Sequence, residues 1–198
     1  MKLITKEVTC PICGNKHVFK DVASLYIKDS YLDGQPSNVD LTLGIDECPK
    51  CHYVTNDFDK PIDQRIKDIV NSQEYKNDKL KLEHDYFLLK NMYKLHKQCI
   101  EQLFWYKRDN GIEYDDIISE LIINKENKFS TGNIDKMSYI SYIDLLRQSG
   151  RFDDCKEALE SLLVATQNSW IKNIIDFEKM LIDNADTKSH LFSEVNIG

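Results

Sequence analysis

Beyond Pro61 the chain has no further proline, and its 198 residues include only seven glycines. The commonest helix breaker is therefore missing from two thirds of the sequence, where helical spacing takes over. No apolar run approaches the ~20 residues needed to cross a bilayer, and the charged stretch Met1 to Val8 has no signal-peptide core. Neither membrane insertion nor secretion is expected, and the expected location is the cytoplasm. A basic excess is lacking as well. The formal net charge is -7, with seven Lys/Arg against nine Asp/Glu in residues 1–60 and 19 against 24 in residues 61–198. Phosphate-backbone binding rests on clustered Lys/Arg and counterion release, so nucleic acid is a disfavoured partner. Gly-rich phosphate loops, H-E-x-x-H and G-x-S-x-G patterns are all absent. No catalytic activity is expected.

What the chain does have is two cysteine pairs, Cys10-Pro-Ile-Cys13-Gly14 and Cys48-Pro-Lys-Cys51-His52, with 34 residues between them. Two thiolates two residues apart can chelate one ion, because the intervening turn points both sulfurs inward, and two such pairs close a tetrahedron. Cys10, Cys13, Cys48 and Cys51 are therefore the expected metal ligands. Zinc is the expected ion, and iron is the competitor because a rubredoxin-like centre uses similar knuckles. Four protein sulfurs leave no position for water or substrate, so the ion is read as structural. Zinc in this site adds roughly -2 to an already acidic segment.

Residues 1–58 read as a four-cysteine zinc ribbon. Val8-Thr9 leads into the first knuckle and His17-Val18-Phe19 leads out of it. Asp33 to Asn38 is a loop by its Gly, Pro and Asn content, and Val39 to Ile45 alternates as a half-buried strand does. So small a segment cannot offset its chain entropy alone, and a structural zinc can contribute on the order of 10 kcal/mol.

Residues 59–184 read as helical. Ile62, Ile66 and Ile69 define a first helix, and Leu82, Tyr86, Leu89, Tyr93, His96, Ile100 and Leu103 step by four and three. No Gly or Pro interrupts Lys79 to Arg108, and a break is expected near 94–97. Asn110-Gly111 stops a helix, and a short one follows from Tyr114 to Ile123. A helical hairpin is expected from Ile134 to Arg147 and from Arg151 to Thr166, turning at Ser149-Gly150. The last helix carries Trp170, Ile174, Phe177 and Leu181 on one face. Residues 185–198, polar and poor in apolar side chains, are expected to form a disordered tail. The fold class is thus α+β, predominantly α, with a small N-terminal β zinc ribbon followed by an array of helical hairpins.

An internal echo connects His96-x-x-Cys99-x-Glu101-x-Leu103 with Phe152-x-x-Cys155-x-Glu157-x-Leu159. Cys99 and Cys155 are read as small apolar residues where helices cross. A His96–Cys99 metal pair or nucleophile is the sharper alternative, but the apolar series around them favours packing. His84, between Glu83 and Asp85, reads as part of a solvated face. His52 is expected to point away from the ion held by its neighbour Cys51, and His17 to lie on the ribbon surface. Phe104, Trp105 and Tyr106 cannot share one helix face at ~100° per residue. They are candidate partner-binding residues, with burial between two layers the preferred reading.

The run Leu145-Leu-Arg-Gln-Ser149-Gly150-Arg-Phe152-Asp-Asp-Cys155-Lys-Glu-Ala158-Leu159 resembles the centre of a tetratricopeptide repeat. It departs from that pattern at Ile143, where the family usually has Gly, and at Leu162, where it usually has Ala. Across most of the chain, Cys10–Gly14, Cys48–Tyr53 and Gln102-Leu-Phe-Trp-Tyr106 resemble a bacterial family, the domain of unknown function numbered twenty-two twenty-five. His52 stands where that family usually ends its second knuckle with Gly. The resemblance implies zinc and helical repeats and brings no activity with it. The expected function is that of a structural-zinc scaffold binding a protein or peptide. A rubredoxin-like electron carrier is the alternative, and a nucleic-acid-binding ribbon the second.

Overall fold

The computed structural model describes residues 2–78, 80–92, 97–129 and 135–195. Eight α-helices and four short strands are present among these residues, so the chain is α+β and predominantly α. Its contacts divide it into two compact units, Met1–Tyr26 with Val39–Ile112, and Ile27–Asn38 with Glu113–Gly198.

In the first unit, β1 (Lys2–Thr9) and β2 (Lys16–Ser24) pair antiparallel across the first knuckle, with Val8 opposite His17 and Thr9 opposite Lys16. The second knuckle is framed likewise by β3 (Asp46–Glu47) and β4 (Val54–Thr55). Four helices follow: α1 (Gln64–Asn71), α2 (Gln73–Asn77), α3 (Lys81–Asn91) and α4 (Lys97–Asp109). Asp63 caps α1 by accepting from the Ile66 N–H at 2.9 Å, and Ser72 caps α2 through the Tyr75 N–H at 3.2 Å. Such caps satisfy donors that a helix start leaves bare.

One cluster joins ribbon and helices. Val8, Phe19, Tyr53 and Phe58 from the ribbon pack with Val70, Tyr75 and Leu88 from α1, α2 and α3, around Cys10 and Cys48. The division at residue 112 therefore differs from the compositional boundary at 58: the ribbon's few apolar side chains find their core on the helices.

The strand expected at Val39 to Ile45 is not formed. Asp40 accepts from the Thr42 N–H at 2.9 Å and the Thr42 hydroxyl at 2.8 Å, and Gly44 has φ 84°. The Lys81 ammonium then ties down the Thr42 and Ile45 carbonyls, both at 3.0 Å. A side chain that bonds its own backbone offers the chain a turn in place of a ladder. Met92 closes α3, and the break expected near 94–97 falls largely on residues 93–96, outside the described residues.

In the second unit, α5 (Asp115–Phe129), α6 (Lys136–Gln148), α7 (Phe152–Val164) and α8 (Ser169–Asp183) each pack on the next. Helix α5 is longer than the Tyr114 to Ile123 segment expected. The α6–α7 turn is as read from the sequence: Gly150 at φ 76° and Arg151 donate back to the Arg147 and Leu146 carbonyls, both at 2.9 Å. That pairing is the helix-ending motif in which glycine supplies the left-handed residue. Cys155 is buried where α7 crosses α6, its thiol donating to the Ile143 carbonyl at 3.4 Å. On α8 the buried stripe is Ile171, Ile174, Ile175, Glu178, Leu181 and Ile182, rotated from the expected one, and Trp170 and Phe177 are only partly covered.

Residues 185–195 do not fray. Tyr31 bridges Leu191, the Leu32 N–H donates to the His190 carbonyl at 2.9 Å, and the Phe192 N–H to Ser30 at 2.9 Å. A 3-10 turn, Phe192–Glu194, leads to the buried Val195. Residues 196–198 lie outside the described residues.

Candidate metal centre

Each knuckle is built by the same two backbone bonds. The Gly14 N–H donates to the Cys10 carbonyl at 2.9 Å and the Cys10 N–H to Asn15 at 2.8 Å. The His52 N–H donates to Cys48 at 2.9 Å and the Cys48 N–H to Tyr53 at 2.9 Å. Both turns need a left-handed residue in the same place, and Gly14 (φ 71°) and His52 (φ 62°) supply it. Histidine adopts that conformation far less readily than glycine. Its ring is held by Glu47, whose Oε1 lies 2.7 Å from His52 Nδ1, and its carbonyl accepts from the Tyr75 hydroxyl at 2.7 Å.

The turns bring the four sulfurs together. Cys10 and Cys51 Sγ are 3.6 Å apart, Cys13 and Cys48 Sγ are 3.5 Å apart, and all four lie within 4.8 Å of one another. A tetrahedral zinc with Zn–S bonds of about 2.3 Å has sulfurs about 3.8 Å apart along each edge. The four thiols thus fit a tetrahedral ion, and the separations are too long for disulfides, whose S–S bond is about 2.05 Å.

Burial pushes the Cys10 and Cys51 thiols up, while at Cys13 the Asn15 N–H and neighbouring sulfurs outweigh burial and pull it down. Backbone N–H groups of Ile12 and Cys13 serve the Cys10 sulfur, that of Asn15 serves Cys13, and that of Tyr53 serves Cys51. Such donors stabilise thiolates, and a divalent cation deprotonates a coordinating thiol outright. These residues can hold a metal ion.

No family model, curated protein or solved structure matches the chain. Its likenesses rest on the residues quoted above, and the candidate site rests on its geometry.

The other candidate residues are placed as follows. Phe104 is 0% and Trp105 7% exposed, so these two are core side chains and only Tyr106 of the triple is partly open. Cys99 is buried on α4, where desolvation and the Asp85 carboxylate push its thiol up. His96 lies outside the described residues. His17 packs edge-on against Phe58 at 4.8 Å, with Nε2 3.5 Å from Asp46.

His84 corrects the reading of a solvated face. It is 2% exposed, and its Nδ1 lies 3.0 Å from Glu47 Oε1, the oxygen that also meets His52. Burial would raise the Glu47 carboxyl, but the two imidazoles hold it below the usual carboxylate range. The acidic neighbours of His84 masked this triad in the sequence, and its other members sit at the second knuckle. The available signal was helical phase: Leu82, His84, Asp85 and Leu88 share the buried side of α3. Among the described residues, no helix is long and apolar enough to cross a membrane.

Proposed function

We propose that the protein is a non-enzymatic cytoplasmic scaffold in which a structural zinc ion, held by Cys10, Cys13, Cys48 and Cys51, fixes the ribbon while the helical hairpins bind a protein or peptide. The observation that carries the metal half is the cross-knuckle sulfur spacing of 3.5 and 3.6 Å, close to a tetrahedron edge. The resemblance carried by Cys10–Gly14 and Cys48–Tyr53 agrees with it. The closed sulfur set leaves no open coordination position, so no catalysis is assigned to this ion.

The partner half is supported by a cleft of about 290 Å³ between α5, α6 and α7, lined by Glu126, Tyr139, Tyr142, Arg151, Asp154 and Glu157. Arg151 is engaged by Asp154 at 2.6 Å and Glu126 at 3.6 Å, and Glu157 adds a further negative charge. Aromatic faces beside an acidic excess suit a basic side chain of a bound peptide.

Elemental analysis of the purified chain should return at least one zinc per chain, reduced by one in Cys10→Ser and Cys48→Ser. A metal content well below one ion overturns the metal half, and a red sample that bleaches on reduction replaces zinc with a rubredoxin-type iron. Crosslinking with mass spectrometry in the native cell tests the partner half. One protein should be captured by the wild type and lost from Tyr139→Ala and Glu157→Lys. Recovery of nucleic acid instead, or capture indifferent to both substitutions, overturns it.

A further inference from the structure

We propose that Glu47, His52 and His84 form a second metal site, separate from the four thiols, for a borderline divalent ion such as zinc or nickel. One carboxylate oxygen, Glu47 Oε1, stands 2.7 Å from His52 Nδ1 and 3.0 Å from His84 Nδ1, and all three ligand atoms lie within 4.8 Å of one another. Ligands about 2.1 Å from an ion stand about 3.0 Å apart at right angles and about 3.4 Å apart in a tetrahedron. The triad is gathered to that scale, and two imidazoles with a carboxylate suit zinc and nickel.

The surroundings of His84 favour an ion, or a second ring proton, over a neutral ring that donates to Glu47. A neutral ring that donates from Nδ1 to Glu47 leaves Nε2 an acceptor. No hydrogen bond of normal geometry reaches that buried Nε2, and the backbone group that interacts with the ring is that of Tyr75, an acceptor. With an ion on Nδ1 the ring proton moves to Nε2 and faces this acceptor, the arrangement in which metal-bound histidines are usually held. Tyr75 fixes the ring further by stacking on it at 4.7 Å, 27° from parallel.

The site is also reachable. The His52 side chain is 54% and that of Glu47 25% exposed, so an ion can enter from solvent. Three protein ligands leave positions for water, unlike the closed sulfur set. His52 thereby belongs to the second knuckle by its backbone and to the second site by its ring.

Nickel distinguishes the two sites. Protein carrying one zinc per chain is titrated with nickel, and X-ray absorption is read at each metal's own edge. The expected result is one nickel per chain in a shell of nitrogen and oxygen that includes imidazole, with zinc retained in sulfur. His52→Asn, which tolerates the left-handed turn, and Glu47→Gln should each weaken nickel binding by at least about tenfold, since even outer-shell partners are worth about 10–100-fold. Both variants spare the buried His84 and should keep the zinc. Failure to retain nickel, nickel bound through sulfur with loss of zinc, or unchanged affinity in both variants overturns the proposal. Protein that never holds zinc in sulfur instead counts against the structural-zinc reading.

Discussion

Ala185 has φ 50° at the end of α8, in the place where two other helices of the chain end with Gly111 (φ 65°) and Gly150 (φ 76°). All three ends have the same bonds: Ala185 donates to Ile182 and Asp186 to Leu181, both at 2.9 Å, as Gly111 and Ile112 donate to Arg108 and Lys107 at 3.2 and 2.9 Å. An L-residue in this conformation costs about 1–2 kcal/mol, partly offset because glycine has more chain entropy to lose. Ala185→Gly should therefore raise the free energy of unfolding by about 0.5–1 kcal/mol, read from the denaturant midpoint at unchanged slope. A lower midpoint would show that the turn is held by something other than its backbone. The two glycines made their helix ends legible in the sequence. Ala185 gives no such signal, and the segment after it, short of apolar residues, reads as a tail.

Arg147 supplies what composition did not show. It is fully buried on α6, donates to Glu178 of α8 at 2.8 Å and pairs with Asp144. Its guanidinium also caps the Asp186 and Lys188 carbonyls at 2.7 and 2.8 Å. Gln148 extends the network, donating to Asp144 at 2.6 Å and Asp33 at 3.3 Å, and Ser141 donates to the Asp33 carbonyl at 2.6 Å. Polar residues inside a helical stripe thus hold loop 27–38 and residues 185–195 to the helices, which a count of apolar positions cannot reveal. Arg147→Met strands two buried carboxylates and should cost about 3–5 kcal/mol in chemical denaturation. A cost under about 1 kcal/mol would mean that the network is replaceable by packing. Two carboxylates share this one guanidinium, so a proton is retained. Burial first, and then the Asp144 charge, push the Glu178 carboxyl from about 4.5 up to about 8, and burial pushes Asp144 up too. A raised folded value means that the fold binds a proton the unfolded chain releases. The resulting stability is full below about pH 4.5 and is lost as pH rises through about 8. Unfolding free energies measured from pH 5 to 9 should fall with pH in the wild type and fall less in Glu178→Gln, and equal slopes would contradict the assignment.

At the scale of the whole chain, what could be read depended on sequence separation. The knuckles were legible because a chelate's chemistry fits into four consecutive residues, and the α6–α7 hairpin because Ser149-Gly150 and the Cys155 stripe are local. The triad at Glu47 was not, since His84 lies 37 residues further along, beyond two intervening helices. The boundary at 58 marked a real change in composition, from turn-rich to helical, but composition does not report where contacts thin. Tyr75 and Leu88 complete the core around Cys10 and Cys48, and the Tyr75 hydroxyl bonds the second knuckle itself. Release of an ion from these four thiols would therefore remove the centre of the first unit's core rather than an appendage. A structural zinc contributes on the order of 10 kcal/mol, comparable with the whole stability of a domain this size. Chelation should consequently abolish amide protection in β1, β2 and the knuckles and also in α1, α2 and α3, followed by hydrogen exchange with mass spectrometry before and after the metal is stripped. Far-UV dichroism should lose helical signal in step, although the ligands themselves lie in strands and turns. Protection lost only within residues 2–58, with α1 to α3 still slow to exchange, would make the ribbon an independent module and restore the compositional boundary.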